Sequence, residues 1–546
     1  MKLFNKIIKD SKSLYFIFIA ILMITNVALL FTETMTVSEK IAFILLPLGI
    51  QMFIVALFYK PGLAFLVMLP KSILDAFQLV LIKLYGGSFI AADMFLNVVT
   101  TNMTEVEELL TDLAQIILII LIIYIPAIIL SVRSIRQRIK LERGFRYLMI
   151  KVSGAVIALG IVSFIVAGYK NEDFKVRSNI YPVNVICNMD YAIKKWNRIS
   201  SAKENMRNFS YNAYRDSAGS SREIFVLVIG ETARAANWSL YGYERKTTPN
   251  MDTLSNLIVF EDALSQSNTT HKSVPLLMTP ANADNHSLIY KCKSVVSLFK
   301  EAGFKTAYLS NHNYQQTFMD NYFGEADIKV SIKDAALNSY DYALLDPLSE
   351  ILWNHKDDDL FIVIHLYGSH FKYSQRYTEE FAKFLPDVVE SISPEFKQQL
   401  VNSYDNSILS TDYVLHNIIE SVKGCRTSSS VLYVSDHGED LMDDHNLRFL
   451  HASPIPTFNQ LHVPFVIWFS DEYKKEHSQK YSWAVTNSSK PVSTSITVFH
   501  TLGDLANIRS EYLNRDLSVC SDSIKIEPRK YLTDHDTSAS VEKLLR

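Results

Sequence analysis

The sequence predicts an α/β protein in two parts: a five-helix transmembrane domain, followed by a soluble domain with a mostly parallel central sheet. Three observations predict it. Apolar residues concentrate in the first 170 positions of the 546-residue chain. Ile224-Phe225-Val226-Leu227-Val228-Ile229 and Val431-Leu432-Tyr433-Val434 run without a polar break, as strands buried on both faces of a parallel sheet do. Between these runs, strand-like and helix-like stretches alternate. The chain exceeds one domain of ordinary size. Its net charge of −3 gives a polyanion no reason to bind, so no nucleic-acid partner is expected.

A spanning helix needs roughly 20 apolar residues. Residues 14–31 form such a run, interrupted only by Thr25 and Asn26, and 41–58 form a second. The third, 62–82, carries Lys71 and Asp75 one turn apart, an intramembrane pair and hence a functional candidate. The fourth is 116–130, which needs its flanks to reach full length, and the fifth is 147–167, with Lys151 near its start. No small-residue cleavage site follows the first run, so it reads as an anchor. Lys2, Lys6, Lys9 and Lys12 precede helix one, and Arg133, Arg136, Arg138, Lys140, Arg143 and Arg146 fill the loop between helices four and five. The positive-inside rule puts both in the cytoplasm, and five spans then carry the C-terminal domain outside. The outward loop 84–115 holds Asn97, Thr101 and Glu105 at intervals of four, one face of a helix. That face reads either as a solvated amphipathic surface or as a polar pocket facing the soluble domain.

The expected division is 1–168 for the transmembrane domain, 169–222 for a linker at the membrane surface and 223–546 for the soluble domain. The linker is polar and basic through Lys194, Lys195, Arg198, Lys203 and Arg207, and Ser217–Ser221 reads as a flexible joint. Further strands are expected at 306–310, 361–366 and 464–469, and helices at 295–302, 394–422 and 495–506.

Ligands of open α/β sheets bind at the C-terminal strand ends. One such end reads Gly230-Glu231-Thr232 and another Ser435-Asp436-His437-Gly438-Glu439. Glu231 and Asp436 offer hard oxygen donors and His437 a nitrogen. Such a set suits Zn²⁺, with Mn²⁺ second. The alternative is two core strands that end in incidental charged turns. Thr270, in Ser267-Asn268-Thr269-Thr270-His271-Lys272, is the fourth candidate. A divalent ion favours the alkoxide of a threonine, which can then attack phosphorus. Thr269 could fill the same role, and spacing does not choose between them. His370 and His451 are candidates to bind phosphate oxygens, hold a second metal or protonate a leaving group. His365 ends an apolar run and reads as structural. His462 reads as support for the site.

These residues resemble the signatures of the bacterial phosphoethanolamine transferases, inner-membrane enzymes of the alkaline-phosphatase-like superfamily that modify lipid A and related glycolipids. The resemblance is carried by Gly230-Glu231-Thr232-Ala233-Arg234-Ala235, Asn237-Trp238-Ser239, Tyr241-Gly242-Tyr243-Glu244-Arg245, Thr270 to Pro275, Tyr404-Asp405-Asn406, Ser435 to Glu439, Leu450-His451 and His462-Val463-Pro464. It implies an alkaline-phosphatase-like (sulfatase-like) domain in the periplasm, on a multi-pass anchor in the inner membrane. It implies a catalytic zinc held by Glu231, Thr270, Asp436 and His437, with phosphate or a second zinc at His370 and His451. It assigns Asn97, Thr101 and Glu105 to substrate binding. The implied reaction is ping-pong. Thr270 takes phosphoethanolamine from phosphatidylethanolamine, releases diacylglycerol and passes the group to lipid A or another envelope glycolipid, a change associated with polymyxin resistance. A monomer is expected.

The chain departs from the family pattern at Gln266, where members often carry cysteine. It has only Cys187, Cys292, Cys425 and Cys520, enough for two disulfides in three connectivities. The nearest alternative is a phosphoglycerol transferase of the lipoteichoic-acid-synthase type, whose strand-end glutamate usually stands in a Glu-Ser-Phe context. A sulfatase would need a Cys/Ser-x-Pro-x-Arg frame, which is missing around Thr270. An inactive membrane sensor or binding module is the alternative of another class, and it would be expected to have lost a metal ligand.

Overall fold

The computed structural model describes residues 10–100, 113–215, 222–312, 318–332 and 340–544. The chain folds as two compact units. One runs through Leu96, resumes as far as Ile193 and includes Asp444–Arg448; the other comprises Lys194–Asp443 and Phe449–Arg546.

The first unit is helical: α1 (Ser11–Thr32), α2 (Val37–Leu57), α3 (Pro61–Val67), α4 (Leu69–Tyr85), the start of α5 (Ala92–Thr100), α6 (Ala114–Arg136), α7 (Arg143–Lys170) and the start of α8 (Val183–Asn205). Among the described residues α1, α2, α6 and α7 are long and apolar enough to span a membrane, and α3 with α4 makes a fifth span if the pair counts as one. That pair bends by 60°. Pro70, in the first turn of α4, cannot donate into the preceding helix, so the expected continuous third span breaks there. Where α2 meets α7 the backbones approach closely. A Cβ added at Gly160 would stand 3.0 Å from Leu46 N, and one at Gly49 would stand 3.0 Å from Ile157 N. Small residues set such packing between apolar helices, where dispersion replaces the hydrophobic effect.

Lys71 and Asp75 do pair. Lys71 Nζ donates to both Asp75 oxygens at 2.8 Å and to Leu22 O at 2.6 Å, and the Tyr181 hydroxyl donates to Asp75 Oδ1 at 2.8 Å. Removing one partner strands the other charge in an apolar interior, at a cost of about 3–5 kcal/mol. Asp75→Ala should therefore lower the unfolding temperature of the detergent-solubilised chain, while Lys71→Met with Asp75→Leu should recover most of the loss. An unchanged melt in the single variant would show that the pair contributes nothing.

The second unit is a three-layer α/β domain. Its sheet has seven strands: β1 (Glu223–Gly230), β2 (Leu257–Val259), β3 (Lys305–Ser310), β4 (Ile328–Ser331), β5 (Leu360–His365), β6 (Ser428–Ser435) and β7 (Phe465–Phe469), in the order β2-β7-β6-β1-β5-β3-β4. Pairing is parallel from β6 through β4, and β7 is antiparallel to both its neighbours. The expected strands are all present, with shifted ends. β1, β5 and β6 are buried along their whole length, with the apolar runs 224–229, 360–364 and 431–434 inside them. The principal helices are α9 (Thr270–Met278), α10 (Val295–Glu301), α11 (Leu345–Asn354), α12 (Lys397–Gly424) and α13 (Thr494–Leu505). Phe225, Phe299, Phe361, Phe465 and Phe499 belong to a single buried cluster in this unit. All four cysteines are free thiols. The Ser217–Ser221 joint, Thr101 and Glu105 lie outside the described residues; of Asn97 only the backbone is described, within α5.

Candidate active site

Strand register brings the two acidic strand ends together. Gly230 pairs with Ser435 across β1 and β6, so Glu231 and Asp436 leave the sheet side by side. Asp436 N then donates to Gly230 O at 3.0 Å. Glycine is required at 230 because an added Cβ would stand 2.7–2.8 Å from ring atoms of Tyr433.

The turn after Glu231 is strained. Thr232 has φ 63°, a conformation that β-branched residues avoid. Its surroundings hold it there: Thr232 N donates to Asp436 Oδ1 at 3.2 Å, its hydroxyl to Glu231 Oε1 at 2.7 Å, and the Tyr404 hydroxyl to Thr232 O at 2.8 Å. Tyr404 is on α12, and its neighbour Asp405 accepts from Asn237 Nδ2, from the Tyr243 hydroxyl at 2.9 Å and from Arg245 at 2.8 Å. The stretches around 230–245 and 404–406 thus form one network that fixes the Glu231 turn.

Thr270 opens α9. Its hydroxyl lies 3.3 and 3.2 Å from the two Glu231 oxygens and 3.1 Å from His437 Nε2. The Thr269 hydroxyl lies 3.2 Å from Ser267 Oγ. Of the two threonines it is therefore Thr270 that stands among the predicted metal ligands. His437 Nδ1 donates to Gly438 O at 2.9 Å, which leaves the Nε2 lone pair facing the cluster. Ser273, one turn into α9, donates to Asp436 Oδ2 at 3.1 Å.

The donor set suits a divalent cation. Ligand atoms of Glu231, Asp436 and His437 lie within 4.8 Å of one another. All three residues are at most 1 % exposed, and among the described residues neither carboxylate is ion-paired with lysine or arginine. Burial, and then the Asp436 charge, push the Glu231 carboxyl well above the usual carboxylate range. Burial pushes the His437 imidazole down, which favours its neutral, ligating form. Two adjacent buried carboxylates beside a neutral imidazole and a hydroxyl call for a cation at their centre.

The sequence of the second unit matches the Sulfatase family over residues 223–508, more than half of the chain. The chain belongs to the sulfatase family. Within it, one relative is phosphoethanolamine transferase EptC of Escherichia coli (strain K12), 28% identical over 347 residues, 59% of each chain. The chain thus spans about 59% of that relative's length. Among solved structures, the C-terminal periplasmic domain of E. coli EptC in complex with Zn aligns with TM-score 0.56 and 27% identity, over 61% of this chain and 96% of that one. The integral membrane lipooligosaccharide phosphoethanolamine transferase A of Neisseria meningitidis aligns over 93% of this chain and 97% of that one, with TM-score 0.72 and 22% identity. That last likeness is one of fold, and it takes in the helical unit.

Around this sulfatase-family centre, His451 packs against His437 with ring centroids 4.2 Å apart, and His370 stands 6.5 Å beyond it. His370 Nδ1 donates to Phe371 O at 2.7 Å, and burial pushes the His451 imidazole down to about 4. His462 lies apart from these groups: it stacks on Phe458 at 4.9 Å, and its Nε2 is 3.3 Å from Glu261 O. Two residues escape the reading of the sequence. Glu439 is fully buried, 3.3 Å from His451 Nδ1, and its place in the Asp436-His437-Gly438-Glu439 run is the available signal. His312 follows β3 and stacks on His365 at 4.0 Å; no motif marks it.

Proposed function

We propose that this chain is a metal-dependent phosphoethanolamine transferase that moves phosphoethanolamine from phosphatidylethanolamine, through a covalent Thr270 intermediate, to lipid A or another envelope glycolipid. The observation that carries the reading is the meeting of the Thr270 hydroxyl with Glu231 and His437 at one sheet edge, beside Asp436. It is supported by the transferases to which the chain is similar and by the zinc bound to one of them. Glu231, Asp436, His437 and Thr270 would hold the zinc, which supplies Lewis-acid charge and lowers the pKa of the hydroxyl.

The chain's own groups supply the rest. The N-terminus of α9 favours negative charge on the attacking oxygen. Thr270 Oγ1 loses its proton and bonds to phosphorus, the phosphorus–oxygen bond to the diacylglycerol breaks, and the departing oxygen takes up a proton, so that none is gained or lost overall. The acceptor oxygen then bonds to phosphorus and releases Thr270. His451, packed on His437, and His370 beyond it could donate to phosphate oxygens or hold a second ion. By the family resemblance, Asn97, Thr101 and Glu105 contribute to substrate binding.

On this reading residues 1–168 belong in the inner membrane, 169–222 along its outer surface and 223–546 in the periplasm, as a monomer. A reporter fused after Arg546 should be active only if exported, and a cytoplasmic signal would overturn this topology. The reaction itself is tested by mass spectrometry of envelope lipids from cells with and without the protein. A phosphoethanolamine increment on a glycolipid is expected, and lipids identical in both would count against the enzyme.

A further inference from the structure

We propose that a second divalent cation binds on the other flank of Glu231, held by Glu231, His312 and His365. The proposed site shares Glu231 with the centre described above and requires nothing of its substrate.

Parallel pairing builds the site. Ile229, His365 and Ser310 stand in register across β1, β5 and β3. The C-terminal ends of these strands therefore deliver Glu231, His365 and the Asn311-His312 turn to one edge. Asn311 N donates to His365 O at 3.0 Å and extends that register by one residue. A ring nitrogen of each histidine and a carboxylate oxygen of Glu231 lie within 4.8 Å of one another. Donors around a zinc ion at about 2.0–2.2 Å stand roughly 3.4 Å apart, so small side-chain rotations would close the site.

The histidines are prepared as ligands. His312 Nε2 lies 2.7 Å from Leu366 O, an acceptor only, so this backbone carbonyl orients the ring. The two rings stack with centroids 4.0 Å apart, which brings both imidazoles to the same edge. His365 is fully buried, whereas His312 is half-buried. Two imidazoles and one carboxylate make a three-donor set with open positions, suited to Zn²⁺ or another borderline divalent ion. Glu231 has two oxygens and about four lone-pair sites, enough to serve two ions. His370 stacks on Tyr367 and His451 on His437, and neither is among the three donors.

The test is a titration of the purified, EDTA-stripped full chain in detergent with Co²⁺, followed by visible absorption and elemental analysis, with circular dichroism to verify folding. His312→Ala and His365→Gln should each bind one equivalent fewer than wild type. Asp436→Asn should lose the other equivalent and keep the one that depends on His312. If wild type binds a single equivalent, or if both histidine variants that fold match wild type, the site does not exist. Loss of the second equivalent in His370→Ala or His451→Ala, with His312→Ala unaffected, would also overturn it. Failure of the transferase reading is separate: it would show as absent lipid transfer with the Co²⁺ stoichiometry intact.

Discussion

Thr270→Ala should abolish transfer while the chain still folds, inserts and binds metal. Two consequences of the geometry make this effect large. Thr270 approaches Glu231 and His437 through its hydroxyl, so the variant removes the attacking atom and leaves the β1 and β6 strand ends intact. Deleting a covalent nucleophile costs far more than deleting a hydrogen bond, because a one-step displacement by water must replace two easier steps. We expect activity to fall by at least about 10³-fold, within the range seen for nucleophile knockouts. Thr270→Ser should keep measurable transfer, because it retains the hydroxyl on the first turn of α9. The assay is release of diacylglycerol from phosphatidylethanolamine by purified protein. Full activity in Thr270→Ala with none in Thr269→Ala would move the nucleophile by one residue.

Glu231→Ala should have the second large effect, on metal content as well as rate. Glu231 is buried, faces Thr270 through both oxygens and is shared by both proposed cation sites. Losing an outer partner of a metal ligand costs about 10–100-fold in affinity. Losing the carboxylate itself should cost at least that much, with transfer reduced by no less than about 10²-fold. Stability supplies an independent readout. Zinc at 100 times its Kd stabilises the native wild-type chain by about 2.7 kcal/mol. That protection should vanish in Glu231→Ala. Unchanged zinc content by elemental analysis would remove Glu231 from the site.

The parts of the fold that are legible in the sequence are those written as continuous pattern. β1 and β6 stand out because a strand buried on both faces has no polar alternation to blur it. The break at Pro70 is not legible, because hydropathy summed over a span is insensitive to one missing donor. In the site, Glu231, Asp436 and His437 can be named because each follows closely on such a strand. The choice between Thr269 and Thr270 cannot be made from spacing, since it depends on the phase with which α9 begins. His312 is invisible for a different reason: its relation to Glu231 exists only through the pairing of β3 with β5 and β5 with β1. His365 reads as structural because it ends an apolar strand, yet that strand end is what carries it beside Glu231.

The most direct test of the covalent Thr270 intermediate is mass spectrometry of the full-length, zinc-loaded chain after incubation with phosphatidylethanolamine and no acceptor. One added phosphoethanolamine group is expected, found on the peptide that carries Thr270 and absent from Thr270→Ala. A chain that releases diacylglycerol with no adduct, or with the adduct on another residue, would contradict it.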